Sequence, residues 1–275
     1  MTPKVLLLDL DGVLRRFGSD DAIEDAHGLP RGRLAEVAFG LAGPALVGAD
    51  TDAAWRALVR GRLVADGLSA DVARSAVAAW SRVGELVPEA IALVRRVRCR
   101  VAVLTNATDR LPVDLARLGL DREVDAVVSS AVIGAVKPAP EAYLRALDLL
   151  GVEAADVVFC DDKAENAAGA RAVGIDGVHT PDYPALEAAV ADRGLLGPLL
   201  LVLHDRDEAV AAARELADGG WAPALVHKDL LAGEDDVEDA DWVVELATGP
   251  DGRSAHRHRD LLETVADRVD GFVTD

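Results

Sequence analysis

The chain has 275 residues, enough for one large or two modest domains with a substantial core. Its formal net charge of −19 argues against nucleic acid as the main ligand, because binding to a phosphate backbone needs clustered Lys and Arg. Two cysteines cannot provide a disulfide framework, no apolar run reaches the roughly 18 residues that span a bilayer, and the first residues lack a signal-peptide pattern. We therefore expect a cytoplasmic protein that binds neither nucleic acid nor membrane.

The first predicted element carries acidic residues at its end. Residues 4–14 read KVLLLDLDGVL, a short apolar run followed by Asp9, Asp11 and Gly12. Such a run predicts a buried strand, and strand alternation places Asp9 and Asp11 on the same side. Because burying an uncompensated charge costs several kcal/mol, these carboxylates need a metal, a partner or water at the end of the strand.

Residues 15–88 predict a block of helices and loops inserted after the first strand. Within it, the segment AAWRALVRGRLVADG has helical spacing. We predict one buried face on this helix, formed by Trp55, Leu58, Val59, Leu63 and Val64. We interpret Trp55 as a packing residue rather than as a contact to substrate.

From residue 88 the pattern alternates between helices and strands. We predict helices at 88–97, 110–118, 139–150 and 164–173, with strands at 101–105, 125–129, 157–161 and 177–179. This alternation indicates a parallel, Rossmann-like α/β sheet with right-handed crossovers, which the first strand must join. Two further strands also end in polar side chains, at Thr105–Asn106 and at Asp161–Asp162. Lys137, one of four lysines, lies between them before Pro138.

The last quarter of the chain predicts a separate small acidic domain. Acidic residues outnumber basic residues by 19 to 7 after Pro198, but by 29 to 22 before it. Residues 193–198 form the candidate linker. The order of elements in 199–275 is β-α-β-β-α-β, which is typical of an α+β ferredoxin-like domain.

These motifs resemble the haloacid dehalogenase (HAD) superfamily of aspartate-nucleophile hydrolases. The family pattern is DxDG[VT], then a strand ending in Thr or Ser, then Lys, then an acidic pair, and all four occur here in order. The similarity spans about residues 4–190 and is strongest to phosphatase-like members with a helical cap. It implies a catalytic core at 1–14 and 89–193 and a cap at 15–88. It also implies a central first strand, with the second and third strands on one side and the fourth and fifth on the other.

The resemblance implies a phosphomonoester hydrolase that acts on a small phosphorylated metabolite. Asp9 would be the nucleophile, and Asp11 would protonate the leaving oxygen and then deprotonate water. The phosphoryl oxygens would be bound by the Thr105 hydroxyl, the Asn106 amide, the Gly12 amide and the Lys137 ammonium.

Oxygen donors around a phosphate suit Mg²⁺. We expect the side chains of Asp9 and Asp161 to be ligands, and the resemblance adds the main-chain carbonyl of Asp11. Asp162 would bind through water or orient its neighbours, and Asn166 would tie its loop to the site.

Other functions remain open at this point. A carbon–halogen hydrolase of the superfamily typically lacks an aspartate at the position of Asp11, whereas a phosphomutase shares it. A regulatory or binding protein that uses the acidic domain to recognise a protein partner is a further alternative. The segment GEDDVEDADWVVEL in that domain resembles the ribonuclease E activity regulator B family.

Overall fold

The computed structural model describes residues 5–228 and 241–274. Its strands, in chain order, are β1 (Val5–Leu8), β2 (Arg15–Arg16), β3 (Glu85–Leu86), β4 (Arg100–Thr105), β5 (Ala126–Ser129), β6 (Val157–Asp161), β7 (Asp176–His179), β8 (Leu199–Leu203), β9 (Leu225–Lys228), β10 (Trp242–Leu246) and β11 (Phe272–Thr274).

The helices fall into three groups along the chain. Between β2 and β3 lie α1 (Asp21–Ala26), α2 (Arg33–Gly40), α3 (Gly43–Leu46), α4 (Asp52–Ala65) and α5 (Ala70–Trp80). Around the strands β4 to β7 lie α6 (Pro88–Arg96), α7 (Leu111–Leu118), α8 (Ser130–Ile133), α9 (Pro140–Leu150), α10 (Ala164–Ala172) and α11 (Tyr183–Asp192). The last group is α12 (Arg206–Asp218) and α13 (Arg259–Arg268), and short 3-10 turns occur at Leu120–Arg122, Ala154–Asp156 and Ala255–His258.

Two compact units divide the chain. The N-terminal unit comprises Pro3–Ile91 together with Val101–Ala189, and the C-terminal unit comprises Ala92–Arg100 together with Val190–Asp275 and the first two residues. The N-terminal unit contains a five-stranded sheet of order β5-β4-β1-β6-β7. The pairs β1–β6, β4–β5 and β6–β7 are parallel. The expected Rossmann-like sheet with a central first strand is therefore confirmed.

Burial on both faces explains why the central strands are continuous apolar runs. Every residue of β1 and β6 is buried, as is usual for parallel strands covered by helices on both sides. On one face, the rings of Tyr143 in α9 and Phe159 in β6 pack edge to face with centroids 5.6 Å apart. This packing fixes the carboxyl end of β6, where the acidic pair begins.

The helices α1–α5 lie in the segment that we predicted to be a cap, and they share an apolar core of their own. We call this segment the cap. Its two connections to the sheet, β2 and β3, pair with each other as a short antiparallel ribbon. In α4, Trp55, Val59 and Leu63 are buried, but Leu58 and Val64 are 50% and 41% exposed. The predicted five-residue face was therefore wrong for these two positions. At 3.6 residues per turn, Val64 follows Trp55 by two and a half turns and so lies on the opposite side.

The start of α2 depends on a buried acid from α1. The Glu24 side chain is fully buried and accepts hydrogen bonds from the main-chain N–H groups of Gly32 (2.6 Å) and Leu34 (2.8 Å). These are among the N–H groups that the first turn of a helix leaves without a partner. Glu24 therefore joins two cap helices through hydrogen bonds rather than through apolar contact.

The C-terminal unit contains a four-stranded antiparallel sheet of order β11-β8-β10-β9. Helices α12 and α13 contribute Ala209, Leu216 and Leu262 to the apolar core of this sheet. The predicted β-α-β-β-α-β order is thus observed, although residues 229–240 lie outside the described chain. Most of the acidic segment that resembles the ribonuclease E regulator lies in this gap.

Among the described residues, no helix combines the length and the apolar character that crossing a bilayer requires.

Candidate active site

A buried lysine joins the ends of β1 and β6. Asp9 follows β1 directly, Asp161 ends β6, and Lys137 lies in the loop between α8 and α9. The Lys137 Nζ is 2.8 Å from Oδ1 of Asp9 and 2.7 Å from Oδ2 of Asp161. All three side chains are less than one-tenth exposed. One ammonium therefore compensates two buried carboxylates, which the sequence had placed at separate strand ends.

Asp161 uses both of its oxygens within the protein. In addition to Lys137, it accepts hydrogen bonds from the main-chain N–H of Lys163 (2.9 Å) and from Nδ2 of Asn166 (3.0 Å to each oxygen). The Tyr143 hydroxyl in turn donates to the main-chain oxygen of Asn166 at 2.7 Å. Burial raises the pKa of Tyr143 well above its usual range, so this hydroxyl keeps its proton. Asp161 is thus held from several directions.

Asp162 differs from its neighbour because one of its oxygens has no partner. Oδ1 of Asp162 is buried without a hydrogen bond. Carboxylate oxygens of Asp9, Asp161 and Asp162 all lie within 4.8 Å of one another. Burial, followed by the charge of Asp161, raises the pKa of Asp162 above its ordinary value.

This group of oxygens fits a hard divalent cation. The pKa of Asp9 is raised to about 6, mainly because this carboxyl is buried; Lys137 opposes the shift and the charge of Asp161 adds to it. Three carboxylates against one ammonium leave an excess of negative charge that a cation such as Mg²⁺ would neutralise. A bound cation would also give the unpartnered oxygen of Asp162 a ligand.

Gly12 lies against the Asp162 carboxylate. Its φ of +94° is in the left-handed region, and a Cβ atom at this position would collide with the Asp162 side chain. The main-chain N–H of Gly12 donates to the carbonyl oxygen of Arg15 at 2.8 Å. This differs from the expectation that this amide would face a phosphoryl oxygen, because the tight turn after β1 already uses the donor.

The side chain of Asn106 positions the loop that carries Lys137. Its Nδ2 donates to the carbonyl oxygen of Lys137 at 2.9 Å, and its Oδ1 accepts from the N–H of Lys137 at 2.8 Å. The Asn106 side chain is therefore committed to Lys137, which leaves its main-chain amide for a phosphoryl group. Thr105 is almost fully buried at the end of β4 and also lines the cavity described below.

Arg15 is a part of the site that the sequence analysis missed. Its guanidinium forms a two-pronged ion pair with Asp11, with Nε 2.6 Å from Oδ1 and Nη2 3.1 Å from Oδ2. Its Nη1 donates to the carbonyl of Val83 at 3.2 Å and lies 3.9 Å from Asp114. Arg15 stands four residues after Asp11 in a turn and a short strand, so no periodic pattern pointed to it.

A cavity of about 390 Å³ opens between the strand ends and the cap. Its lining includes Asp9, Asp11, Thr105, Asn106, Lys137 and Asn166. The volume is in the range of small-molecule sites. A larger cavity of about 670 Å³ lies between the loop before α4 and helix α7, and it includes none of the three clustered carboxylates. The smaller cavity is therefore the candidate active site.

Comparisons with known proteins identify the family of this chain. Residues 3–174 match the family model for haloacid dehalogenase-like hydrolases. The chain is 38% identical over 98 residues to a phosphoglycolate phosphatase of Cupriavidus necator, covering 34% of this chain and 42% of that protein. It is 38% identical over 73 residues to a sesquiterpene phosphatase of Aspergillus oryzae, covering 26% of this chain and 36% of that protein. The matched segments thus span less than half the length of these curated relatives.

A solved structure shares the fold of this chain. A HAD-family enzyme of Bacteroides thetaiotaomicron, solved as a magnesium complex, superposes with a TM-score of 0.55 at 20% identity. The match covers 66% of this chain and 94% of that one, and it supports the fold alone. The family model covers well over half of the chain. The chain belongs to the haloacid dehalogenase-like hydrolase family.

Proposed function

We propose that the protein is a Mg²⁺-dependent phosphomonoester hydrolase that forms a phosphoryl intermediate on Asp9. The observation that carries this proposal is the position of Lys137 between Asp9 and Asp161, beside the unpartnered oxygen of Asp162. This arrangement concentrates positive charge where a phosphoryl group would gather negative charge. It also leaves an oxygen of Asp9 available, because Lys137 and the Leu10 N–H both bind Oδ1.

The proposed reaction has two displacements at phosphorus. In the first, an oxygen of Asp9 bonds to phosphorus while the bond to the leaving oxygen breaks, and Asp11 gives that oxygen a proton. In the second, Asp11 takes a proton from water, whose oxygen bonds to phosphorus and releases Asp9. The products are the alcohol and inorganic phosphate. Positioned proton transfer of this kind contributes about 10²- to 10⁴-fold.

Three donors would position the phosphoryl oxygens. We assign this task to the Thr105 hydroxyl, the main-chain amide of Asn106 and the ammonium of Lys137. Gly12 would contribute by letting the Asp162 carboxylate approach the turn, since its own N–H is already bonded. Asn166 would support the site by holding Asp161.

The metal would be bound by Asp9, Asp162 and the main-chain carbonyl of Asp11. This assignment exchanges the roles expected from the sequence for Asp161 and Asp162. The oxygens of Asp161 already accept from Lys137, Asn166 and a main-chain N–H, whereas Oδ1 of Asp162 has no partner. When bound, Mg²⁺ would neutralise charge on the phosphoryl oxygens and lower their repulsion with Asp9.

The alternatives make different chemical demands. Halide departure needs no proton, so an aspartate at position 11 favours phosphoryl transfer over dehalogenation. A phosphomutase would use the same residues and return the phosphoryl group to its product. The two relatives named above carry names for very different substrates, a phosphorylated acid and a sesquiterpene phosphate. Their names therefore do not decide the substrate of this chain.

The second candidate function is binding of a protein partner by the acidic C-terminal unit. A protein partner with a basic surface is the alternative that its charge favours. Deletion of residues 199–275 followed by pull-down would test it, and unchanged partners and unchanged phosphatase rates would leave this role unsupported.

The central test is hydrolysis by the purified full chain. A panel of phosphorylated metabolites would be assayed with Mg²⁺ and with EDTA, beside the variant Asp9→Asn. We expect Mg²⁺-dependent release of phosphate that the variant loses. Retention of labelled phosphate in an isomerised product would indicate a mutase, and equal rates for Asp9→Asn and the parent would refute the nucleophile.

A further inference from the structure

The cap side of the active-site cavity is apolar and aromatic. We call this surface the cap face; its residues are Phe17, Phe39, Ala42, Leu46 and Trp55. Phe39 is 70% exposed and Phe17 is 45% exposed, although both line a cavity. Aromatic side chains supply large apolar contact area. An open aromatic surface opposite the polar strand ends therefore indicates that the part of a ligand beyond its phosphoryl group is apolar.

The rings of the cap face are held in place before any ligand binds. Phe39 meets Trp80 edge to face with centroids 6.4 Å apart, and Trp55 meets the same ring at 5.7 Å. The indole N–H of Trp55 donates to the carbonyl of Ala38 at 2.8 Å. Because these contacts fix the rings, a ligand would lose little binding energy in ordering them.

The positive charges near this face are already compensated. Every guanidinium that lines the cavity has a carboxylate partner: Arg15 with Asp11, Arg56 with Asp52, Arg82 with Asp20, and Arg110 with Asp114. The first two pairs are two-pronged, with N–O distances between 2.5 and 3.2 Å. Lys137 and Lys163 line the opposite side, next to the carboxylates that face the phosphoryl group.

Among the described residues, a second acidic group on the substrate would meet only cations that already have a carboxylate partner on the cap side. To reach Arg56, for example, a substrate carboxylate would have to displace Asp52 and remain beside it. Like charges a few ångströms apart in a partly buried cavity repel each other. The cap side therefore disfavours small phosphorylated acids, while it offers contact area to an uncharged group.

We propose that this enzyme prefers phosphomonoesters whose alcohol part is uncharged and carries an aromatic or branched apolar group. The phosphoryl group would lie at the strand ends and the apolar group against Phe39 and its neighbours. This inference rests on the proposed phosphatase function and specifies its substrate class.

The test compares two esters whose alcohols have similar leaving-group chemistry. The full chain with saturating Mg²⁺ is assayed on 2-phenylethyl phosphate and on phosphoglycolate. We expect kcat/KM to be at least about tenfold higher for 2-phenylethyl phosphate, a ratio that one apolar pocket can supply.

Variants separate contact with the cap face from general effects. Phe39→Ala should raise KM for 2-phenylethyl phosphate by about 5- to 10-fold and leave KM for phosphoglycolate unchanged. The matched control is Leu149→Ala, another exposed apolar side chain, which is not part of the cavity lining. The Leu149→Ala substitution should leave KM unchanged for both substrates. Since Phe39 is 70% exposed, its removal should not prevent folding.

The outcomes distinguish this inference from the phosphatase proposal. A kcat/KM that favours phosphoglycolate, or equal effects of Phe39→Ala on both substrates, would overturn the substrate class while supporting the phosphatase. A complete absence of Mg²⁺-dependent turnover across both esters and the metabolite panel would overturn both.

Discussion

Replacing Lys137 by methionine would test the electrostatic design of the site most directly. Methionine keeps most of the length and volume of the side chain but removes the ammonium. The change leaves Asp9 and Asp161 buried, with side chains 8% and 0% exposed, and without the cation that now lies 2.8 and 2.7 Å from them. Stability of the metal-free protein should therefore fall, in addition to activity.

The size of the loss follows from two opposing effects. At an effective dielectric constant of about 20, each of the two contacts is a gross attraction of about 6 kcal/mol. Much of this attraction is offset by the cost of desolvating the Lys137 ammonium when the parent protein folds, a cost that methionine does not carry. Loss of one partner from a buried ion pair typically costs about 3–5 kcal/mol, and we expect that loss in EDTA at pH 8.

The loss should depend on pH in a definite direction. Burial already raises the pKa of Asp9 to about 6, and removal of Lys137 raises it further. A raised carboxyl pKa means that the folded state holds the proton more tightly, so its ionisation costs stability as the pH rises above 3.8, the ordinary value for an aspartate. The variant should thus lose less stability at pH 5 than at pH 8.

Urea unfolding in EDTA at both pH values would measure these effects. Lys163→Met, which removes an exposed lysine that lines the same cavity, is the matched control and should lose less than about 0.5 kcal/mol. Saturating Mg²⁺ should narrow the gap between Lys137→Met and the parent, because a cation replaces the missing charge. A variant within about 1 kcal/mol of the parent at pH 8 in EDTA would refute the reasoning.

Three further predictions concern the metal and the cap. Asp162→Asn should weaken Mg²⁺ binding by more than about 100-fold by calorimetry, and unchanged binding would exclude a direct ligand. Protons and Mg²⁺ compete for Asp9, whose pKa is about 6. The affinity for Mg²⁺ should therefore fall about tenfold per pH unit below pH 6 and level off above it. An affinity that stays constant from pH 5 to 7 would contradict this competition. Glu24→Ala leaves two main-chain N–H groups at the start of α2 without acceptors and should lower the free energy of unfolding in urea by about 2–4 kcal/mol. The control Glu36→Ala, at an exposed position, should lower it by less than about 0.5 kcal/mol. Equal losses for the two variants would contradict the role of Glu24.

Much of the fold was accessible from the sequence because it depends on short-range patterns. Continuous apolar runs such as 5–8 and 157–161 identify buried parallel strands, and their alternation with helices indicates a parallel sheet. The order of the strands was expected from the family resemblance. The convergence of Asp9 and Asp161 follows from the same topology. Their link through one lysine depends on the path of the loop after α8, which no periodicity encodes.

The parts that the sequence did not predict involve competition between partners. Spacing indicates that Asn106 and Gly12 lie near the site, but it does not reveal that both already use donors within the protein. Similarly, an acidic pair does not indicate which member is satisfied by hydrogen bonds and which has a free oxygen. Leu58 was misplaced for a simpler reason, because apolar residues outnumber the positions that the small cap can bury.

The contacts of Arg15 connect the cap to Asp11, the proposed proton donor. The same guanidinium holds Asp11 and binds the carbonyl of Val83, which precedes the strand that returns from the cap. Arg15 itself lies in β2, one half of the ribbon that joins the cap to the sheet. A movement of the cap about this ribbon would therefore displace the Asp11 carboxylate, which we propose as the proton donor. Enclosure of the substrate and the position of the proposed acid would then be coupled through the Arg15 side chain.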